Sequence, residues 1–253
     1  MQKPGQSLTE TQSSLKSRRN LLKGAVAGAA GVTGLTVAGI ALGHNAASAA
    51  PHNSNCVTPI ADIFTIARTA ERLAVTFYTN GLRHAERLGL RGADYQNIRA
   101  ALIEEQIHEL YFASAGGKYL ASTFSFPHGD DTFENLQTFI ATQQQLEGVF
   151  DSAFLAAVKE FGLQGRPDFS QIAAQIATIE AEHRALGRAI AGLVPADNWA
   201  FTPVLIGKVG DAPALVKKAG YLNPRKGNSY TYAQVSTKDP GVVYRAPFAV
   251  ACS

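Results

Sequence analysis

Two copies of a Glu-x-x-His pattern lie within apolar stretches of helical period, and they restrict the fold more than any other feature of the sequence. Glu105 and His108 form the first copy, and Glu180 and His183 form the second, 75 positions later. Residues three positions apart project from the same face of an α-helix, so each pair can reach one shared point. The pattern predicts two long helices that each direct a carboxylate and an imidazole into a common space.

A lone glutamate precedes each copy at nearly the same distance, because Glu71 lies 34 residues before Glu105 and Glu147 lies 33 residues before Glu180. Two divalent cations would balance the charge of four carboxylates beside two neutral imidazoles. Without cations, the burial of these charges would cost several kcal/mol each. A glutamate of this kind taken alone is more often solvated or a helix cap. The twofold repeat instead favours a site for two divalent metal ions, with these ligands: Glu71, Glu105, His108, Glu147, Glu180 and His183.

The apolar spacing and the helix-end signals predict four long helices, over residues 59–88, 93–115, 131–161 and 168–193. Thr58 is the expected cap of the first helix, and Asp131 with Glu134 is the expected capping pair of the third. Short turns make the first two and the last two helices antiparallel neighbours, whereas residues 118–130 are long enough to run the length of a bundle. The fold expected for residues 58–193 is therefore an all-α four-helix bundle with a long crossover between helices 2 and 3. The candidate ligands continue the apolar rows of these helices and should face its interior.

With this motif content and these spacings, residues 58–193 resemble the ferritin-like superfamily, and in particular its exported members. The resemblance implies that the six residues bind two divalent metal ions, with iron as the expected metal and manganese as the alternative. It also implies an oxidoreductase in which dioxygen or peroxide oxidises Fe(II) or another small donor. Two other functions stay open: catalase-like disproportionation of peroxide by a manganese form, and a non-enzymatic envelope protein that sequesters metal or protects against desiccation stress. The expected assembly is a homodimer.

The same resemblance gives supporting roles to Tyr78 and Glu104. Tyr78 follows Glu71 by two helical turns, where similar proteins keep a tyrosine that donates a hydrogen bond to a ligand or supplies an electron; an ordinary core tyrosine is the alternative. Glu104 stands where related bundles place an acidic residue that orients the ligand histidine of the opposite pair. The equivalent position before Glu180 is Ile179, so the two metal positions are not expected to be alike.

The N-terminal residues 1–49 have the pattern of an export signal. Arg18 and Arg19 precede a run over residues 24–42 that is rich in glycine and alanine, and an Ala-Ser-Ala site ends at Ala49. This order resembles a twin-arginine signal that is cleaved after Ala49. Twin-arginine export carries folded proteins, which suits a protein that acquires its metal in the cytoplasm. We therefore expect an extracytoplasmic protein in the periplasm, cell envelope or medium, with no stable membrane anchor after cleavage. An uncleaved anchor is the alternative, because the apolar run could span a bilayer.

The charge of the remaining chain gives no support for two kinds of partner. Five basic residues and one acidic residue fall in the signal, so the totals of 23 and 20 leave 18 basic and 19 acidic residues. A chain this close to neutrality gives no reason to expect nucleic acid or an anionic membrane as a partner. The apolar content of 46% is enough for one substantial core.

Two segments flank the predicted bundle. Residues 50–57 form a linker, and residues 194–253 form an irregular C-terminal extension that is expected to pack on the bundle, with a short helix over residues 212–218. Cys56 and Cys252 lie at opposite ends of the mature chain. In an oxidising compartment they can form a disulfide, and two free thiols are the alternative.

Overall fold

Four long helices make up most of the described chain. The computed structural model describes residues 57–244 and 247, so the predicted export signal, Cys56 and Cys252 lie outside the described residues. The long helices are α1 (Ile60–Arg83), α3 (Ala93–Ser114), α4 (Leu136–Leu163) and α5 (Pro167–Ile190). In this part of the chain no helix combines the length and the hydropathy needed to cross a membrane.

The remaining elements are short. Helix α2 (Ala85–Leu88) lies between α1 and α3, and helix α6 (Ala212–Lys218) lies in the C-terminal extension, at the predicted position. Turns of 3-10 helix occur at Gly129–Phe133 and Val209–Asp211, and two-residue strands occur at β1 (Thr123–Phe124) and β2 (Tyr230–Thr231).

The connections between the long helices set their arrangement. Helix α1 packs along α3, and α4 packs along α5, each pair being joined by a short connection. The connection from α3 to α4 covers residues 115–135 and is long enough to run the length of the bundle. The predicted all-α four-helix bundle with a long crossover between its second and third long helices is confirmed.

The first long helix is shorter than predicted. It ends at Arg83, and the backbone N–H of His84 bonds back to the carbonyls of Asn80 and Gly81. The next four residues form the separate helix α2, which stops at Gly89 with φ 69°, a left-handed conformation that glycine adopts without steric strain. The prediction of one continuous helix over residues 59–88 was therefore wrong at its C-terminal end.

The predicted start of the third long helix was also wrong. Asp131 lies in a 3-10 turn, and the true N-cap of α4 is Asn135, whose Oδ1 accepts hydrogen bonds from the backbone N–H groups of Gln137 and Thr138 at 2.8 and 3.2 Å. Glu134 instead pairs with Arg87 at the surface. Asparagine and aspartate cap helices equally well, so the sequence alone did not decide between them.

The beginning of α1 is fixed by a long-range contact and not by a local cap. The hydroxyl of Thr58 makes no capping bond and instead accepts a hydrogen bond from the N–H of Gly210, at 2.8 Å. Next to it, the buried carboxylate of Glu160 accepts hydrogen bonds from the N–H groups of Thr58, at 2.6 Å, and Val209, at 2.8 Å. Glu160 thereby holds the entry to α1 and the 3-10 turn Val209–Asp211 of the extension against α4.

The rows that carry the candidate ligands face the core, as predicted. Buried members of these rows are Ala67, Ala74, Tyr78, Ile98, Ala101, Leu102, Phe112, Ile140, Phe150, Phe154 and Ile176. In the same hydrophobic core, the ring of Phe77 stacks on that of Phe139 with 4.5 Å between centroids. A Cβ at Gly81 would lie 2.5 Å from the Phe139 ring, so only glycine permits this close packing.

The C-terminal extension packs on the bundle and pairs with the crossover. Strand β2 runs antiparallel to β1, with Thr231 opposite Thr123. The side chain of Asn228 bonds to both the N–H and the carbonyl of Phe126, at 2.9 and 2.8 Å. Farther along, the N–H of Val235 donates to the buried side chain of Gln106 on α3, at 2.9 Å. The crossover and the extension therefore support each other.

We expect Glu160→Gln to lower the free energy of unfolding by about 2 kcal/mol, because an amide has one acceptor oxygen and leaves one of the two buried N–H groups unpaired. Urea unfolding measures this change. Glu134→Gln, which alters a surface ion pair, should cost no more than about 0.5 kcal/mol. Equal effects of the two substitutions would contradict this role of Glu160.

Candidate metal centre

The structure brings all six candidate ligands together at the centre of the bundle. Their side chains form two overlapping groups, and in each group one ligand atom per residue lies within 4.8 Å of the others. The first group is Glu71, Glu105, His108 and Glu180, and the second is Glu105, Glu147, Glu180 and His183. Glu105 and Glu180 belong to both groups, so their carboxylates are the part that the two groups share.

Most of the polar side-chain atoms of these residues are buried without hydrogen-bond partners. Seven carboxylate oxygens are in this state, together with one ring nitrogen of each histidine: Glu71 Oε1 and Oε2, Glu105 Oε1 and Oε2, Glu147 Oε2, Glu180 Oε1 and Oε2, His108 Nδ1 and His183 Nδ1. A buried polar atom left without a partner costs about 1–3 kcal/mol, and more if it is charged. So many unpaired acceptors around one space fit bound cations, which would satisfy all of them at once.

The distances between these atoms also fit shared ions. His183 Nδ1 lies 3.2 Å from Glu105 Oε1 and 3.5 Å from Glu180 Oε2. His108 Nδ1 lies 3.7 Å from Glu71 Oε2 and from Glu105 Oε2. Two ligands that each lie about 2.1 Å from one ion are separated by about 3.0 Å when the angle between them is about 90° and by about 3.6–4.2 Å when it is about 120–180°. The residues fit the metal pair that the sequence predicts, while their role as ligands stays a prediction.

The ionisation of the cluster reflects its crowding. Burial raises the pKa values of Glu71, Glu147 and Glu180, and the neighbouring carboxylates raise them further. Burial alone would also raise the pKa of Glu105, but interactions with His108, His183 and Glu71 lower it overall. His183 shows the opposite balance, because burial lowers its pKa while Glu104, Glu105 and Glu180 raise it above the usual value. Without cations, the cluster therefore keeps protons that metal ions would displace.

The two histidines differ in their surroundings. Glu104 Oε2 lies 2.8 Å from His183 Nε2, so the carboxylate can accept the Nε2–H and keep Nδ1 directed at the cluster. Glu104 thus contacts the histidine of the other Glu-x-x-His pair, where the resemblance placed it. The position equivalent to Glu104 is Ile179, which offers His108 no acceptor. The side chain of His108 is 13% exposed, whereas that of His183 is 1% exposed.

Tyr78 lies beside Glu147. Its buried hydroxyl donates a hydrogen bond to Glu147 Oε1 and accepts one from Gln143 Nε2 at 3.1 Å. Gln143 also donates to the backbone carbonyl of His183, at 2.8 Å. A Cβ at Gly187 would collide with the side chain of Gln143, so glycine at this position makes room for the network.

Two polar groups near the site were not predicted. Asp151, one turn after Glu147, is buried with its Oδ2 unpaired, and burial together with the charge of Glu180 raises its pKa to about 7. Its place in the sequence between Phe150 and Phe154, two core residues, was a signal that this aspartate is buried. The second is Glu109 on α3, which is buried and pairs with Arg68 and Arg72 of α1, at 2.9 and 2.8 Å.

Comparisons with known proteins agree with this architecture. The family model of the ferritin-like domain matches residues 60–193. This range contains all four long helices and all six candidate ligands. Searches of curated proteins and of solved structures found no match. Because the family model covers more than half of the chain and the helices have the expected connections, the protein belongs to the family of ferritin-like domains.

Proposed function

We propose that the protein is an exported dinuclear metal protein, with iron as its metal, that oxidises Fe(II) or a small donor with dioxygen or peroxide. The observation that supports this most strongly is the convergence of seven unpartnered carboxylate oxygens and two imidazole nitrogens in one buried space. The exported location rests on the N-terminal signal alone. N-terminal sequencing of the mature protein tests it, with a start near Ala50 as the expected result.

The chemistry of the ligand set supports a redox-active metal. Carboxylate oxygens and imidazoles suit iron and manganese, and neither candidate group includes the thiolate that would favour zinc or copper(I). When bound, a pair of iron ions supplies two one-electron redox changes at adjacent positions. Manganese on the same residues would favour peroxide disproportionation, and the metal retained by protein folded in its own cytoplasm distinguishes the two.

The residues around the ligands position them and exclude water. Glu104 fixes the His183 tautomer that leaves Nδ1 free for a metal ion. The Tyr78 hydroxyl holds Glu147 by one oxygen and leaves the other unpaired. Five of the six candidate ligands are no more than 1% exposed, so reacting species inside the bundle are shielded from bulk solvent.

The metal content of variants tests whether residues that belong to both groups are needed for both metal ions. We expect about two ions per wild-type chain by elemental analysis, and none in Glu180→Ala, because Glu180 belongs to both groups. His108→Ala should keep about one ion, because His108 belongs to the first group only. The matched control is Glu182→Ala, an exposed glutamate on the same helix, which should keep both. Equal metal content in Glu180→Ala and Glu182→Ala would contradict the assignment.

Peroxide-dependent oxidation of Fe(II) or a small donor tests the turnover. We expect Tyr78→Phe to keep its metal and to lose about tenfold in rate, because the hydrogen bond to Glu147 is removed. Stopped-flow spectroscopy of the iron-loaded protein measures the rate. Tyr221→Phe, at another buried tyrosine that bonds to Gln145, is the control and should leave the rate unchanged. An iron-loaded wild type that consumes neither dioxygen nor peroxide would refute the proposed activity.

A further inference from the structure

The difference between the two histidines coincides with a pocket on the surface of the bundle. The pocket has a volume of about 430 Å³ and lies in the groove between α3 and α5. His108 and Glu104 both line it, and so does Ile179, the residue that replaces a carboxylate partner for His108. Because Nδ1 of His108 faces the glutamate cluster, the opposite edge of its ring is the part available to the pocket.

The walls of the pocket are mostly apolar. Ile107 on α3 and Ile179 on α5 both line the pocket, and Tyr111 contributes an aromatic side chain. Val243 and Tyr244 of the extension complete the wall on the outer side. The volume lies in the range of pockets that bind small organic molecules. A separate cavity of about 50 Å³ has apolar walls and touches none of the candidate ligands, Tyr78 or Glu104.

Glu104 gives the pocket a hydrogen-bond acceptor. One of its oxygens, Oε2, is engaged by His183, and Oε1 has no partner among the described residues. The side chain is 32% exposed. A hydroxyl group in the pocket could therefore donate to Oε1, and Glu104 would connect it through His183 to the centre of the site.

We propose that this pocket binds a small, uncharged phenolic molecule, with its ring between the apolar walls and a hydroxyl group donating to Glu104. Among the described lining residues, Glu104 is the only one with a full negative charge, and lysine and arginine are absent from them. A carboxylate or phosphate ligand would lie beside that charge and be repelled. A wholly apolar ligand would leave the Glu104 acceptor without a donor.

The role of this molecule as the donor rests on the proposed oxidation, whereas its binding does not. For a hydroquinone the balanced reaction is one hydroquinone and one hydrogen peroxide giving one benzoquinone and two waters. The hydroquinone loses two electrons and two protons from its hydroxyl groups. The O–O bond of peroxide breaks, and its two oxygens take up the electrons and protons.

Calorimetric titration of the full chain without oxidant tests the binding, with three ring compounds of similar size. We expect hydroquinone to bind at least about tenfold more tightly than 1,4-dimethoxybenzene, which has no hydroxyl donor, and than 4-hydroxybenzoate, which carries a carboxylate. In Glu104→Gln the preference over 4-hydroxybenzoate should fall below about threefold, because the repelling charge is removed. Equal binding of the three compounds to the wild type would overturn the proposal.

Two pocket-filling variants and a control locate the binding. Ile179→Trp and Ile107→Trp enter the pocket from α5 and from α3, and each should weaken hydroquinone binding by at least about tenfold. The control is Leu186→Trp, at an exposed apolar residue on α5 that does not line the pocket, and it should bind as the wild type does. Circular dichroism melting identifies any variant that fails to fold. Two folded pocket variants with unchanged affinity would overturn the proposal.

Benzoquinone formation with peroxide separates this inference from the proposed function. In iron-loaded Ile179→Trp we expect the KM for hydroquinone to rise at least about tenfold with little change in kcat. If hydroquinone binds specifically but no benzoquinone forms, the proposed oxidation is refuted and the binding of hydroquinone in the pocket is still supported. Benzoquinone formation with the same KM in both proteins would refute the pocket and leave the oxidation in place.

Discussion

The structure depends on neutralising four carboxylates that are buried around one space. Glu71, Glu105, Glu147 and Glu180 come from four different helices, so the repulsion among them acts directly between the elements of the fold. Each is at most 1% exposed, and water therefore does little to reduce that repulsion. Protons can balance part of the charge, as the raised pKa values of three of the glutamates indicate. Two divalent cations would balance all of it and turn the repulsion into attraction toward a common centre.

The segments outside the bundle support that centre from its periphery. Glu160 holds the start of α1 and the 3-10 turn Val209–Asp211 of the extension against α4 through two backbone N–H groups. Gln106, the neighbour of Glu105, bonds to Val235 and Tyr232 of the extension. The extension therefore steadies the helix that supplies two of the candidate ligands. The extension also contributes part of the wall of the pocket beside His108. His108, the more exposed of the two histidines, therefore lies next to a route from solvent.

Much of this arrangement could be predicted from local sequence patterns. Apolar periodicity predicts the four long helices. The candidate ligands lie in the apolar rows of these helices, which predicts that their side chains face the core. Glu104 was placed by resemblance, and its contact with His183 is present. Helix ends were less predictable, because Asn135 and Asp131 are comparable caps, and the choice depended on the path of the crossover. The hydrogen bonds of Thr58 to Gly210 and of Gln143 to His183 could not be predicted, because they join residues that only the folded chain brings together.

The free energy of unfolding of Glu180→Gln, compared with that of the wild type with and without metal, shows whether metal ions neutralise the buried carboxylates. Without metal, we expect the substitution to stabilise the protein by about 1–3 kcal/mol, because it removes one of four crowded carboxyl groups. The gain should increase as the pH rises, since a group whose pKa is raised by folding loses its stabilising contribution above that pKa. With saturating iron, the wild type should instead be the more stable protein, because the variant binds no metal. A variant that is less stable than the wild type under both conditions would contradict the account, since Glu180 would then be a structural residue and not a metal ligand.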